Sequence, residues 1–109
     1  MNNKYSLKRN EDIAKLVHLR KSVGNKYYAI YHHKNDNEIP KIAISISKKF
    51  GNAVCRNYEK RVIREIIRPL LGELNFLELL IVIKKEASKL TFKEKEAQVH
   101  YLLRKIKRQ

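Results

Sequence analysis

Seven basic side chains and two acidic ones fall within the twenty-one residues from Lys48 to Arg68, KKFGNAVCRNYEKRVIREIIR. On a helix, Arg56, Lys60, Arg64 and Arg68 succeed one another at i, i+4 with Arg61 alongside, and Asn57 falls among them. Cys55, Val62, Ile63, Ile66, Ile67 and Leu70 gather on the other side. Glu59 and Glu65 fall toward the margins and leave the basic face unneutralised. Arg is the majority cation in the helical stretch, and its planar fork grips phosphate in a bidentate manner that Lys cannot match. Lys48 and Lys49 stand on the preceding turn, and Asn52 is placed to cap the helix, where free backbone N–H groups favour an anion. The chemistry on offer is the binding of a polyanion. A merely solvated basic face is the plainer reading, and the Arg content, Asn57 and the lysine-bearing turn weigh against it.

Catalytic chemistry is hard to assemble from the same sequence. The eleven acidic residues are scattered, and the two aspartates, Asp12 and Asp36, belong to a helix start and a loop. His32 and His33 are adjacent on a strand and so point to opposite faces. His18 and His100 read as surface or boundary residues. Cys55 is expected in the core, on the apolar side of its helix. No phosphate-cradling glycine loop and no metal-ligand spacing is present.

A net charge of +14, from 25 Lys/Arg against 11 Asp/Glu, destabilises the compact state by self-repulsion unless an anionic partner offsets it. Nucleic acid fits better than an anionic membrane surface. The longest unbroken apolar run, Leu79 to Ile83, is far too short to span a bilayer. The chain opens without a charged-then-apolar leader, so a cytoplasmic location is expected. One cysteine permits neither an internal disulfide nor a cysteine-based zinc site.

The elements that must position the basic face follow from periodicity. The 109 residues read as a single domain, with residues 1–9 a flexible basic arm. Asn10 is expected to cap a first helix that carries Glu11 and Asp12 in its first turn and Ile13, Leu16 and Val17 on its apolar stripe. KYYAIYHH (26–33) and KIAISIS (41–47) read as strands joined by a hairpin-type loop, KNDNEIP. LELLIVIKK (77–85) is apolar on both faces and reads as a central strand. Pro69 should kink or end the basic helix. Thr91 and Glu94 have capping-box spacing before a last helix on which Val99, Leu102, Leu103 and Ile106 keep helical register. Helix, two or three strands, helix, strand, helix makes a mixed α+β domain.

The segment SKKFGNAVCRNYEKRVIRE resembles the signature of the bacterial ribonuclease P protein family, roughly K-[KR]-x-G-x-A-V-x-R-N-[RK]-x-K-R-x-x-R-E. Lys48, Lys49, Gly51, Ala53, Val54, Arg56, Asn57, Lys60, Arg61, Arg64 and Glu65 match it. LKRNEDIAKLV, YYAIYHH and IAISISKK are similar to the family's first helix and sheet. The sequence departs at Tyr58, where a second Arg is usual, and at Ile13 and Val17, where aromatics are frequent. The resemblance implies a two-layer α+β sandwich of order α-β-β-β-α-β-α around a mixed four-stranded sheet. It is like the second domain of ribosomal protein S5, with a left-handed βαβ crossover that the usual rule disfavours.

The resemblance further implies the protein subunit of a ribonucleoprotein endonuclease that removes the 5′ leader from precursor tRNA. In such an enzyme the RNA subunit, with Mg²⁺ that it mainly binds, performs the hydrolysis. The implied partners are this catalytic P RNA and precursor tRNA, with no membrane and no DNA. Lys48, Lys49, Asn52, Arg56, Asn57, Tyr58, Lys60, Arg61, Arg64 and Arg68 would hold the P RNA. Strand alternation separates Tyr31 from Tyr28 without saying which face is buried. The resemblance selects the Tyr31 face for the leader, with Ser45 and Ser47 beside it and Ile13 and Val17 as the opposing wall. A non-enzymatic ribosome-associated RNA-binding protein or RNA chaperone would share the composition. A helix-turn-helix DNA reader fits poorly, because strands flank the basic helix.

Overall fold

The computed structural model describes residues 3–7 and 9–107. Helix α1 spans Asn10–His18, α2 Ala53–Ile67 and α3 Phe92–Lys107. Strands β1 (Ser22–Gly24), β2 (Tyr28–Lys34), β3 (Lys41–Ile46) and β4 (Leu77–Ile83) form one sheet in the order β1-β2-β4-β3. The result is the expected α-β-β-β-α-β-α order around a mixed four-stranded sheet. Strand β1 pairs antiparallel with β2, β2 antiparallel with β4, and β3 parallel with β4 across α2.

The doubly apolar β4 lies inside the sheet, with β2 and β3 along its edges, α2 and α3 packed on one face and α1 on part of the other. Its insertion between β2 and β3 corrects the expected hairpin. Those two strands are consecutive yet unpaired, because each takes its ladder from β4. Tyr28, Ile30, Ile42, Leu79, Ile81 and Ile83 point to one face of the sheet. There they pack with Val62, Ile63, Ile66 and Ile67 of α2 and Val99, Leu102, Leu103 and Ile106 of α3. On the other face α1 is held by a smaller cluster in which Leu16 meets Leu7, Ala43 and Leu80.

Helix ends follow local chemistry, with one difference. Asn52 Oδ1 accepts the Cys55 N–H at 2.9 Å, and Thr91 and Glu94 exchange both bonds of a capping box, at 2.8 and 3.2 Å. Helix α2 ends at Ile67, and Pro69 sits in the first turn of a 3₁₀ segment, Arg68–Glu73. At α1, however, the cap position is Arg9, without a side-chain cap bond, and Asn10 is already helical. Of the arm expected over residues 1–9, Met1, Asn2 and Lys8 lie outside the described residues. Ser6 and Leu7 lie along β3, where the Leu7 N–H donates to the Ile42 carbonyl at 3.0 Å. No helix among the described residues is long and apolar enough to cross a membrane.

Candidate nucleic-acid interface

The chain leaves β3 at Ile46 and enters α2 through two capped turns. Ser47 Oγ accepts the Lys49 N–H at 3.1 Å, which winds Lys48–Phe50 into a 3₁₀ turn, and Asn52 then caps α2. Lys48, Lys49 and Asn52 are exposed along this entry. Beyond it Asn57, Arg61, Arg64 and Arg68 face outward, while Arg56 and Lys60 are half-buried along one margin. Tyr58 holds the other margin. It is 53% exposed, and Lys95 Nζ of α3 lies 5.3 Å from its ring centroid.

Neither carboxylate of α2 is free to neutralise this face. Glu65 pairs with Arg68 at 3.1 Å on the surface, so among the described residues Arg68 is the one arginine of the set in an ion pair. Glu59 is not marginal, as the sequence suggested, but buried. Both of its oxygens accept from Lys95 Nζ, at 2.9 and 3.0 Å, with side-chain exposures of 7% and 4%. Its negative charge and, above all, burial push the Tyr28 hydroxyl well above the usual tyrosine range. The withdrawal of Glu59 leaves the outer surface of α2 almost wholly cationic.

Cys55 also departs from expectation: it is exposed. The buried stripe of α2 starts at Glu59, and Ala53, Val54 and Cys55 are exposed, so the first turn has no core beneath it. His32 is buried opposite Leu79 and His33 half-buried opposite Glu78, on opposite faces, so no histidine pair forms. Among the described residues no three His, Cys, Asp or Glu side chains gather where they could hold a metal ion.

The sheet face away from α2 and α3 is only partly covered by α1. Register stacks its outward residues in rows: Ser22, Tyr31, Leu80 and Ala43 form one, and Gly24, Ala29, Val82 and Ser45 the next. The second row is small at three of four positions, so it forms a trough beside the Tyr31 ring. Tyr31, Ile13 and Val82 are half-buried against the cluster that seats α1. Ser45 is exposed at the trough's far edge, and Ser47 is exposed just beyond it with its hydroxyl committed to the Lys49 cap. Val17 stands outside this cluster, 43% exposed near the end of α1. Tyr31 and Ser45 thus share this face of the sheet, Ile13 of α1 packs against the same cluster as Tyr31, and the Ser45 end of the face adjoins the basic entry to α2.

Sequence reasoning missed the Glu59–Lys95 pair. The available signal was positional: Glu59 shares the apolar stripe of α2 with Val62, Ile63 and Ile66, and Lys95 precedes Val99 by one turn on the stripe of α3. Two opposite charges on two inward stripes are tolerable only if they meet.

Comparison with known proteins bears on the fold and the family. A family model described as Ribonuclease P matches residues 1–107. The ribonuclease P protein component of Listeria monocytogenes serotype 4a is 37% identical over 105 residues, covering 94% of this chain and 88% of the relative. That of Mycoplasma mycoides is 33% identical over 109 residues, covering 98% and 100%. Among solved structures, the Staphylococcus aureus RNase P protein superposes with a TM-score of 0.88 at 28% identity, covering 94% of this chain and 95% of its own. The Thermotoga maritima RNase P protein does so with a TM-score of 0.83 at 26% identity, covering 92% and 96%.

Proposed function

The chain belongs to the ribonuclease P protein family, and from that premise we propose how its surfaces divide the work on RNA. It is a protein subunit of ribonuclease P, the ribonucleoprotein endonuclease that removes the 5′ leader from precursor tRNA. The outer face of α2 binds the catalytic P RNA. One observation carries this reading: Arg56, Lys60, Arg61 and Arg64 present cationic groups along α2 while Glu59 is turned into the core. Lys48, Lys49 and Asn52 extend the surface along the helix entry, and Asn57 and Tyr58 add uncharged contacts. Arg68, shared with Glu65, contributes least.

The trough beside Tyr31 receives the leader. A flat ring next to small side chains accepts an unpaired base on its face, worth ~1–3 kcal/mol per base. Ile13 and Ser45 border the base, and Val17 and Ser47 mark the two ends of the groove. Because the Ser45 end of this face adjoins the α2 entry, one rigid body holds leader and P RNA in a fixed relation, which is how a subunit without its own catalytic groups raises the rate. The protein's donor set does not fit a resident magnesium ion: its described acidic, histidine and cysteine side chains form no cluster. We assign the Mg²⁺ of the reaction, and the hydrolysis itself, to the RNA subunit, working in the cytoplasm.

Reconstitution tests the assignment. Rigorously RNA-free protein is expected to leave precursor tRNA intact. Protein, cognate P RNA and Mg²⁺ together should cleave at the mature 5′ end. Site-specific, metal-dependent cleavage by the protein alone would overturn it. The leader groove has a separate check. Tyr31→Ala should lower holoenzyme affinity for precursor tRNA roughly tenfold, as expected for one lost stacking contact. Affinity for mature tRNA and P RNA assembly should hardly change. Equal losses for leader-bearing and leaderless tRNA would make Tyr31 a structural residue.

A further inference from the structure

Phe76, in the turn that enters β4, has a backbone φ of 66°. This is the left-handed region, where an aromatic residue is a conformational outlier. Its carbonyl accepts the Asn35 N–H at 2.8 Å, which ties the turn to the end of β2 and fixes the conformation. A turn that needed only this geometry would be served at lower cost by Gly or Asn. Core packing does not compensate for the strain, because the ring belongs to neither apolar cluster and is 48% exposed.

The ring borders a cleft of about 810 Å³ between the ends of β2 and α3, within the size range of ligand-binding pockets. Lys21, Lys34, Lys107 and His33 line it, and Glu73 is its one acidic residue among those described. Glu73 lies 3.9 Å from Lys107, while Lys21 and Lys34 form no ion pair among the described residues. The cleft therefore combines unpaired cations with an outward aromatic ring. It lies at the start of β4, whereas the trough's Ser45 edge and the α2 entry lie at the far end of the parallel β3. A seven-residue strand separates them, roughly 20 Å at strand rise.

We propose that this cleft is a second site for single-stranded RNA, in which an unpaired base stacks on Phe76 and its flanking phosphates meet Lys21 and Lys34. A ring that projects from a turn can stack only on a base that is not already paired and covered, which selects a single strand over a duplex. The site does not rest on the assignment of α2 to the P RNA, because no residue is shared.

The test is photocrosslinking of the full-length protein with a short unstructured RNA carrying 5-iodouridine, with the crosslinked peptides mapped by mass spectrometry. A crosslink at Phe76 is expected, and it should persist when Arg56, Arg61 and Arg64 are all alanine. Phe76→Tyr should retain it. Phe76→Leu should reduce it about tenfold with Tm shifted by no more than a few degrees. Lys21→Gln with Lys34→Gln should lower the salt dependence of Phe76 crosslinking by roughly two phosphates' worth. Crosslinks confined to α2 and the Tyr31 strand, equal yields for Phe76→Leu and the parent, or loss of the Phe76 crosslink in the triple-alanine background would each overturn the proposal. P RNA binding by that triple variant reports separately on α2.

Discussion

Replacing Arg56, Arg61 and Arg64 together by alanine is expected to weaken P RNA binding by roughly 10²–10³-fold near 0.1 M salt. The estimate comes from counterion release: each phosphate neutralised contributes close to one unit to the slope of log K against log salt, hence about tenfold in affinity at that concentration. The same variant should bind with a salt dependence lower by roughly two to three. Fold stability should change little, because Arg61 and Arg64 are exposed, Arg56 is half-buried, and Arg and Ala have similar helix propensity. The measurement is a set of P RNA titrations from low to moderate salt, with thermal melts of the free proteins beside them. Equal salt slopes for parent and variant would remove α2 as the RNA face. Arg68→Ala is the internal contrast. Its guanidinium already shares charge with Glu65, so it should cost less than any of the other three.

The α2 face was legible in the sequence because everything that defines it is local. The i, i+4 spacing of Arg56, Lys60 and Arg64, the Asn52 cap and the breaking Pro69 lie within one helix and its ends. Strand β4 was legible for a related reason: a run apolar on both sides must be covered on both sides. What periodicity alone did not place is non-local. Strand β1 is three residues with a single buried side chain, Val23, too short to carry a period. That β4 separates β2 from β3 depends on which strand most needs two neighbours, a competition that no single segment records. The trough exists because the neighbouring pair Gly24 and Ala29 comes into register with Ser45, distant in sequence, across Val82 of β4. Cys55 followed the apolar spacing, but spacing does not reveal where the core stops under a helix. The α2 stripe is buried only from Glu59 onward.

Lys95→Met is expected to be among the most damaging single substitutions in this chain for stability. It would leave the Glu59 carboxylate buried without its partner, and breaking a buried ion pair from one side costs about 3–5 kcal/mol. Against a typical domain stability of ~5–15 kcal/mol, that loss should lower Tm by on the order of 15 °C. Glu59→Met, which strands the Lys95 ammonium instead, should fall in the same range. The double variant Glu59→Met/Lys95→Met should recover most of the loss, because two apolar side chains of similar volume then fill the α2–α3 seam. Urea denaturation of the four proteins gives the coupling directly. A Lys95→Met change within ~0.5 kcal/mol of the parent, the range of an ordinary surface substitution, would mean that water reaches Glu59. The double variant then separates folding from recognition. In it Tyr58 keeps its place at the margin of α2 but loses the cation 5.3 Å from its ring, while Arg56, Lys60, Arg61 and Arg64 are untouched. If the pair serves only to seat α2 on α3, the folded double variant should bind P RNA with the parent's salt slope and nearly its affinity. A lower affinity at an unchanged slope would trace the deficit to Tyr58, because a stacking contact neutralises no phosphate.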